Sequence, residues 1–455
     1  KMKNKIIKYL AILTIVVASG CVTKPYKSPD TTHVVDSLYR VLENQVDTSF
    51  SNADLGWRYF FTDTLLISYI EQALANNYDM RIALANIAKA EAQLRQSKAA
   101  YSPSFSASMG YGANMEAYRP IQDMGQVGVK FGWEIDLWGK IASVKRSAYA
   151  SLWAEQDTRL ALQSTIIARL GTLYYTLVGY DAQKEVIEQT IINRKAYLVT
   201  TRQLKESAQV NEVAVQQAIA QLSEVEAAAP ELDLAIVKTE NAFRFLMGQI
   251  SGPVVRHPVI DIKDVKLITR VGCPAQLLSN RMDVRAAEQK YRAAHEMWNM
   301  SRAAMYPSLT ISADGNISDI FRNHFGTLNL LAGLTEPIWN GRKLRTQKEV
   351  ARLTADQAEY TFQSTLLRAG QEVSDALASQ LKTRDRALSQ VVQLRSLRLA
   401  YEYSMELFVN GYATYLDVLL AQTGVFNTEI SLIQTYLDNL NARIELYRAL
   451  GGGAK

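Results

Sequence analysis

The sequence predicts a mainly α-helical chain with a small transmembrane β part. Two proline-free runs with helical spacing of their apolar residues, Lys140–Ser207 and Arg342–Asn410, carry the first half of this prediction. At about 1.5 Å per residue, the first run would form a rod roughly 100 Å long, whereas ordinary globular helices run about 8 to 20 residues. Short segments of strict apolar–polar alternation before each run carry the second half. Two helical rods of matched length in one chain indicate an elongated protein that spans a distance, rather than a compact globular core.

The first twenty residues have the features of an export signal. Four lysines precede an apolar run, Tyr9 to Ala18, that is too short to span a bilayer. The run ends in small residues that lead into Cys21, which resembles the lipoprotein box of bacteria, whose cysteine becomes the acylated first residue. We therefore expect residues 1–20 to be a lipoprotein signal peptide and Cys21 to be the lipidation site. A plain signal peptide with an incidental cysteine is the alternative.

Composition argues against several functional classes. The remainder of the chain is close to charge balance, with 46 basic and 45 acidic residues, so its charge indicates no nucleic-acid partner. Apart from Cys21 there is one cysteine, Cys273, which allows no intrachain disulfide framework. The four histidines lack metal-ligand spacing, and no phosphate loop or recognisable nucleophile motif is present. We therefore predict a protein that is not an enzyme, with no catalytic residue, cofactor or metal site.

The sequence contains an internal duplication, in which one unit occurs twice. The words Ala-Ala-Tyr-Ser-Pro-Ser at 99–104 return as Ala-Ala-Met-Tyr-Pro-Ser at 303–308, and Gly248 is answered by Gly451. We place the first helix–strand repeat at 79–250, a connector at 251–281, the second repeat at 282–450 and a tail at 451–455. Residues 21–78 would form a lipid-anchored tether and a first helix, Thr64–Asn76.

Each repeat should run from a helix through two strands to a long rod, a turn and a return helix. The helices before the strands are expected at Met80–Ala100 and Asp283–Ala304, and the return helices should end at Met247 and Leu450. Pro230 should kink the first return helix. The helix before the strands, stacked end to end on a return helix, would nearly equal one long rod in length. The protomer would then present four antiparallel rods of equal height.

The predicted strands alternate with a period of two. The clearest runs from Val127 to Leu137, with Trp133 on its apolar face and Lys130 on its polar face, and the least regular lies around Leu328 to Glu336. Each is about 10 residues, the length of a tilted transmembrane β-strand. A soluble sheet with one wet face is the alternative, but the export signal and the flanking aromatic residues favour the membrane. Four strands cannot close a barrel and open edges are not tolerated in lipid, so two or three chains must contribute.

Several short sequence motifs in the chain resemble those of a known protein family. They are Cys21 with its lipobox, Ala-Ala-Tyr-Ser-Pro-Ser at 99–104 with its echo at 303–308, Asp136-Leu137-Trp138-Gly139-Lys140 with its counterpart at 337–341, Asn410-Gly411 with Tyr415-Leu416-Asp417-Val418-Leu419, and the Gly-rich ending at 448–453. In this order, over about 80–451, the chain resembles the TolC-like outer-membrane efflux factors, in their lipoprotein (NodT-type) branch.

The resemblance implies an architecture and partners. It implies a homotrimer in which each protomer gives four strands to a 12-stranded outer-membrane barrel and its rods to a 12-helix periplasmic tunnel. The implied function is the exit duct of a tripartite (RND-type) export system, which passes small molecules across the periplasm and outer membrane. A periplasmic adaptor protein, an inner-membrane pump and outer-membrane lipid would be the partners, without a cofactor. A structural coiled-coil envelope lipoprotein without a pore is the alternative.

The resemblance also implies a periplasmic gate at the helix-hairpin turns. Carried over residue by residue, it falls on five positions: Asp417, Gly411, Tyr412, Tyr415 and Leu420. Leu420 stands where relatives often carry a second acidic residue. The first-half turn has Ala208 and Ala214 in place of the glycine and the aspartate, so we expect the two hairpins to gate asymmetrically. For Asp417 the alternative is a solvated acid stabilised by the dipole of its helix.

Overall fold

Helices make up most of the part of the chain that the computed structural model describes, residues 22–29, 55–114, 122–257, 276–318, 325–335 and 341–454. One four-stranded sheet accompanies them, which confirms the predicted mainly α fold with a small β part. Cys21, Cys273 and the word at 337–340 lie outside the described residues. Within the described ranges, no helix is long and apolar enough to cross a membrane.

The elements follow the predicted order. The helices are α1 (Trp57–Phe60), α2 (Thr64–Asn76), α3 (Tyr78–Ala99), α4 (Lys140–Glu206), α5 (Glu212–Leu246), α6 (Gln276–Asn280), α7 (Met282–Ala303), α8 (Lys343–Val409) and α9 (Tyr415–Ala449). The strands are β1 (Ser104–Asn114), β2 (Gln122–Ile135), β3 (Ser308–Ser318) and β4 (Phe325–Thr335). The two long rods, α4 and α8, begin and end within one residue of the prediction, and α1 and α6 were not predicted. Helix α5 continues through Pro230 as one element.

The duplication is visible in the helix boundaries. Helices α4 and α8 have 67 residues each, α5 and α9 have 35 each, and both members of each pair are displaced by 203 positions at both ends. Gly248 and Gly451, also 203 positions apart, both have positive φ, 68° and 96°, just after the return helices. Equivalent sequences therefore build equivalent hairpins.

The chain divides into two compact units. The first consists of residues 1–30, 85–157 and 285–365, and the second of 31–84, 158–284 and 366–455. The second unit has close helix packing at two glycines of α4. A Cβ on Gly179 would lie 2.2 Å from Leu437 Cδ1, and one on Gly171 would lie 3.0 Å from the ring of Phe61. These glycines allow side chains to approach the helix backbone.

The first unit contains the sheet, in the order β1-β2-β3-β4 with all neighbours antiparallel. Position 105 pairs with 131, 131 with 313 and 313 with 330, so the odd positions of β1, β2 and β3 share one face with the even positions of β4. That face is apolar and exposed at several large side chains: Phe105, Met109, Val129, Leu328 and Leu330. The opposite face carries the polar residues. The sheet therefore has the amphipathic pattern that the sequence predicts.

The described part of the tether, residues 22–29, runs along α7 in the same unit. Asn299 holds it with two amide hydrogen bonds, since its Oδ1 accepts from Lys24 N at 3.0 Å and its Nδ2 donates to Lys24 O at 2.8 Å. Further along, the Ser28 hydroxyl donates to Glu288 Oε1 at 2.8 Å. Hydrogen bonds from both the backbone and a side chain of the tether therefore hold it against α7.

Candidate functional site

The two turns that join the long rods to the return helices form the predicted gate region, in the second unit. In the second turn Tyr412 N–H donates to Leu407 O at 2.8 Å, and Gly411 N–H donates to Phe408 O at 3.0 Å. These two bonds define a Schellman motif, which satisfies carbonyls that a helix end would otherwise leave unpaired. Gly411 supplies the left-handed residue, with φ of 77°. Gly411 therefore sets the geometry of this helix-to-helix turn, and its part in a gate stays a prediction.

The first turn has the same hydrogen-bond pattern without the glycine. Gln209 N–H donates to Leu204 O and Ala208 N–H to Lys205 O, both at 2.9 Å. Ala208 takes the left-handed position with φ of 60°. For an L-residue with a Cβ this conformation costs roughly 1–2 kcal/mol. The first turn therefore keeps backbone strain that the second turn avoids.

The return helices begin with different caps, and Asp417 belongs to one of them. Thr414 and Asp417 form a capping box at the start of α9. Asp417 Oδ2 accepts from Thr414 Oγ1 at 2.6 Å and from Thr414 N at 2.9 Å. At the start of α5, Asn211 Oδ1 accepts from Ala214 N at 3.3 Å, with no carboxylate to return the bond. The predicted asymmetry between the hairpins therefore has a counterpart in their caps.

The capping box favours the ionised form of Asp417. The hydrogen bond from the Thr414 hydroxyl, followed by that from its backbone N–H, lowers the pKa of this exposed carboxyl. Both bonds favour the ionised form. Asp417 is consequently an exposed, ionised group with one oxygen, Oδ2, engaged by its own helix end. The Thr-x-x-Asp spacing is a capping signal that could have been read from the sequence.

The remaining predicted gate residues divide into exposed and packed side chains. Tyr412 is 83% exposed and Leu420 64% exposed. Tyr415 instead packs against an apolar cluster beneath the turns. The buried members of this cluster come from all four helices of the two hairpins: Tyr197, Leu198, Val215, Ala218, Phe408 and Val418. One protomer therefore brings Tyr415 into a core and leaves Tyr412 and Leu420 available to other contacts.

A small cavity lies between the two turns. Its volume is about 340 Å³, and its lining mixes apolar side chains, among them Leu204, Val210 and Phe408, with the polar Gln209, Asn211 and Thr414 in about equal measure. Both turns contribute to it, so the tips of the two hairpins form one continuous surface.

Sequence reasoning missed Arg194, which lies inside the hairpin region with a side chain 2% exposed. Its Nη1 donates to the Gln221 carbonyl, and its guanidinium lies 5.6 Å from the ring centroid of Phe426. Burial lowers the pKa of this guanidinium, while Glu224 Oε2 at 3.7 Å raises it. The available signal was its position seven residues after buried Ile187, on the apolar stripe of the rod. A charge on that stripe indicates a buried polar interaction.

No group of three or more histidine, cysteine, aspartate or glutamate residues could hold a metal ion in the parts of the chain with described structure.

The fold and these turns define a class of protein. A duplicated unit of long helical hairpins with two amphipathic strands in each repeat is the architecture of outer-membrane channels. The outer-membrane channel OprN superimposes with a TM-score of 0.86 at 23% identity, covering 96% of this chain and 100% of that one. The predicted fold class is thereby confirmed.

The family is shown by sequence. The chain belongs to the outer membrane efflux protein family, whose model matches residues 69–249 and 273–452. The probable outer membrane lipoprotein SilC of Salmonella typhimurium is 25% identical over 460 residues, which cover 98% of this chain and 99% of SilC. The solvent efflux pump outer membrane protein SrpC of Pseudomonas putida is 27% identical over 410 residues, 87% of this chain and 86% of SrpC. The predicted family and outer-membrane location are confirmed.

Proposed function

We propose that this chain is the exit duct of a tripartite (RND-type) efflux system. The observation that carries the proposal is the four-stranded sheet with one apolar and one polar face, whose edge strands are β1 and β4. An open sheet edge is not tolerated in the hydrocarbon region, because its N–H and C=O groups would lack partners. The edges must therefore pair with other copies. The apolar face would then meet lipid and the polar face would line the bore.

Three copies are the assembly that the family resemblance favours. A homotrimer would combine twelve strands into one closed barrel, within the range of sizes known for outer-membrane barrels. The four long hairpin helices of each copy would supply a 12-helix tunnel in the periplasm. Exposed apolar side chains along α8, such as Leu388, Val392 and Tyr403, support this arrangement because they give the helices surfaces for packing against other helices.

The paired turns would form the periplasmic entrance. Asp417 and Tyr412 are both exposed in the protomer, so copies around a three-fold axis can approach one another there. Three ionised carboxylates repel, which neighbouring helices or bound cations would have to offset. Gly411, Tyr412, Tyr415 and Leu420 would complete the gate, with Gly411 setting the turn and Leu420 adding an apolar surface.

The partners follow from this role. A periplasmic adaptor protein would meet the entrance, and an inner-membrane pump would supply the energy. Cys21 would carry acyl chains in outer-membrane lipid, a proposal supported by the name of SilC as an outer membrane lipoprotein. Two acyl chains give the stable anchoring that one chain does not. The duct itself would be no enzyme and would need no cofactor.

The test combines the size of the assembly with conductance. The protein extracted in detergent should have the mass of a trimer, and planar bilayers should show a pore of very low resting conductance. Asp417→Ala should raise this conductance and weaken block by a trivalent cation on the periplasmic side. A stable assembly with no pore would support the coiled-coil scaffold instead. If Asp417→Ala forms a pore that the cation blocks as well as it blocks the parent, Asp417 is not part of the gate, and the proposal of an exit duct still holds.

A further inference from the structure

Charged residues are rare on the polar face of the sheet. Among the positions of this face with described side chains, three are charged: Lys130, Glu134 and Asp314. The others are mainly glycine, serine, threonine and asparagine, with Leu331 as an apolar exception. Such short side chains project little from the strands. The few charges on this face therefore dominate its electrostatic potential.

One of the three charges is already balanced within the chain. Lys140 Nζ, at the start of α4, lies 2.8 Å from Glu134 Oε1 and 3.2 Å from Oε2. An opposite charge at that distance cancels most of the field that Glu134 would project. Lys130 and Asp314 remain as the charges that a solute at this face would meet.

Lys130 and Asp314 are direct cross-strand neighbours, in register between β2 and β3. Directly opposed residues have Cβ atoms about 4.5–5.5 Å apart. The same row continues to Ser106 on β1 and to Asn329 on β4. Across the sheet the row therefore reads neutral, positive, negative, neutral, with each charge adjacent to one uncharged polar residue.

We propose that Lys130 and Asp314 form a charge-balanced belt in the exit bore, so that the intact bore does not discriminate between cationic and anionic solutes. The inference rests on the proposed function, in which the polar face lines the bore. Each chain contributes one charge of each sign, so the complete belt has no net charge. The exit bore consequently admits solutes of either sign, and loss of one member of the belt makes it selective. Selection by charge in the intact duct then falls to other segments.

The rate of thiol labelling by small charged reagents measures this field directly. In a Cys273→Ser background, Ser106→Cys reports on Lys130 and Asn329→Cys reports on Asp314. The readout is the ratio of rate constants for a cationic and an anionic methanethiosulfonate reagent of similar size. Lys130→Gln should raise the cation-to-anion ratio at position 106, and Asp314→Asn should lower it at position 329. A unit charge about 6 Å away in water changes each rate roughly threefold, and hence the ratio roughly tenfold.

Matched control variants test the proposal of a charged belt separately from the proposal of an exit duct. Lys130→Arg keeps the charge and should leave the ratio at position 106 unchanged, while the double change Lys130→Gln with Asp314→Asn should return the ratio towards that of the parent. Ala107→Cys, one residue along β1 on the apolar face, should react slowly with both reagents. If Ser106→Cys is as unreactive as Ala107→Cys in assembled protein, the polar face lines no bore and both proposals are overturned. If Ser106→Cys reacts but neither charge change alters the ratios, the belt is overturned and the duct stands.

Discussion

Ala208 and Gly411 occupy equivalent places in the two repeats, 203 positions apart, and both have a left-handed backbone, with φ of 60° and 77°. The residue after each one donates to the carbonyl at the same offset in the preceding helix. The turn geometry therefore does not depend on glycine. What differs is its energetic cost, because Ala208 carries a Cβ in a conformation that L-residues disfavour.

Replacing Ala208 by glycine should stabilise the first hairpin. We expect the free energy of unfolding to rise by about 0.5–1 kcal/mol. This is the backbone strain relieved at position 208, minus the free-energy cost of the greater conformational entropy of glycine in the unfolded chain. Thermal unfolding of the detergent-solubilised assembly measures it. Gln209→Gly, at the next position, where φ is not positive, is the matched control and should be destabilising. A lower midpoint for Ala208→Gly than for the parent would contradict the strain assigned to this turn.

The capping box of α9 should make the start of that helix sensitive to acid. The folded pKa of Asp417 is lowered by Thr414. Its contribution is therefore present above the ordinary aspartate pKa and is lost as the pH falls through the lowered folded value. Hydrogen exchange of a peptide covering 411–421, corrected for intrinsic rates, should accelerate more in acid for the parent than for Asp417→Asn.

Loss of the N-cap tests the same structure without acid. Thr414→Ala should accelerate exchange at the start of α9 roughly fivefold at neutral pH, the usual size of an N-cap contribution. Thr414→Ser keeps the hydroxyl and should exchange at nearly the parent rate. Equal rates in Thr414→Ala and the parent would mean that packing at Val418, rather than the cap, holds this turn.

The contact between Gly179 and Leu437 predicts intolerance of a single methyl group. Leu437 is 1% exposed, so Gly179→Ala must displace it or part the helices. Overpacking of this kind costs about 1–3 kcal/mol, and the higher helix propensity of alanine offsets part of it. Gly252→Ala, with nothing within 4 Å of the added Cβ, is the control. In a double-mutant cycle Leu437→Ala should relieve Gly179→Ala, and strict additivity would exclude the contact.

The faces of β2 predict opposite tolerance of negative charge. Trp133→Asp should reduce the yield of heat-resistant trimer in membranes far more than Lys130→Asp. Trp133 lies on the apolar face, where a charge costs up to a few kcal/mol in lipid, while position 130 lies on the polar face. Equal defects would mean that the faces of this strand are assigned the wrong way round.

The positions of the helices and strands, and the internal repeat, could be predicted from local patterns in the sequence. Helical spacing without proline placed the ends of α4 and α8 within one residue, because hydrophobic periodicity and helix-breaking residues act locally. The alternation of β2 separated its two faces for the same reason. The positive φ of Gly411 was equally accessible, since glycine is the common residue at that position of a helix end.

Contacts between residues that lie far apart in the chain could not be predicted in this way. Lys130 opposite Asp314, Gly179 against Leu437 and Tyr415 in a core with Tyr197 join residues that are 184, 258 and 218 positions apart. Local pattern contains no information about such pairs, because strand register and helix packing depend on the complementarity of whole surfaces. The strain at Ala208 is of the same kind. The hairpin requires a left-handed residue at that position, and the packing of the two helices imposes it on a residue whose own preference is different.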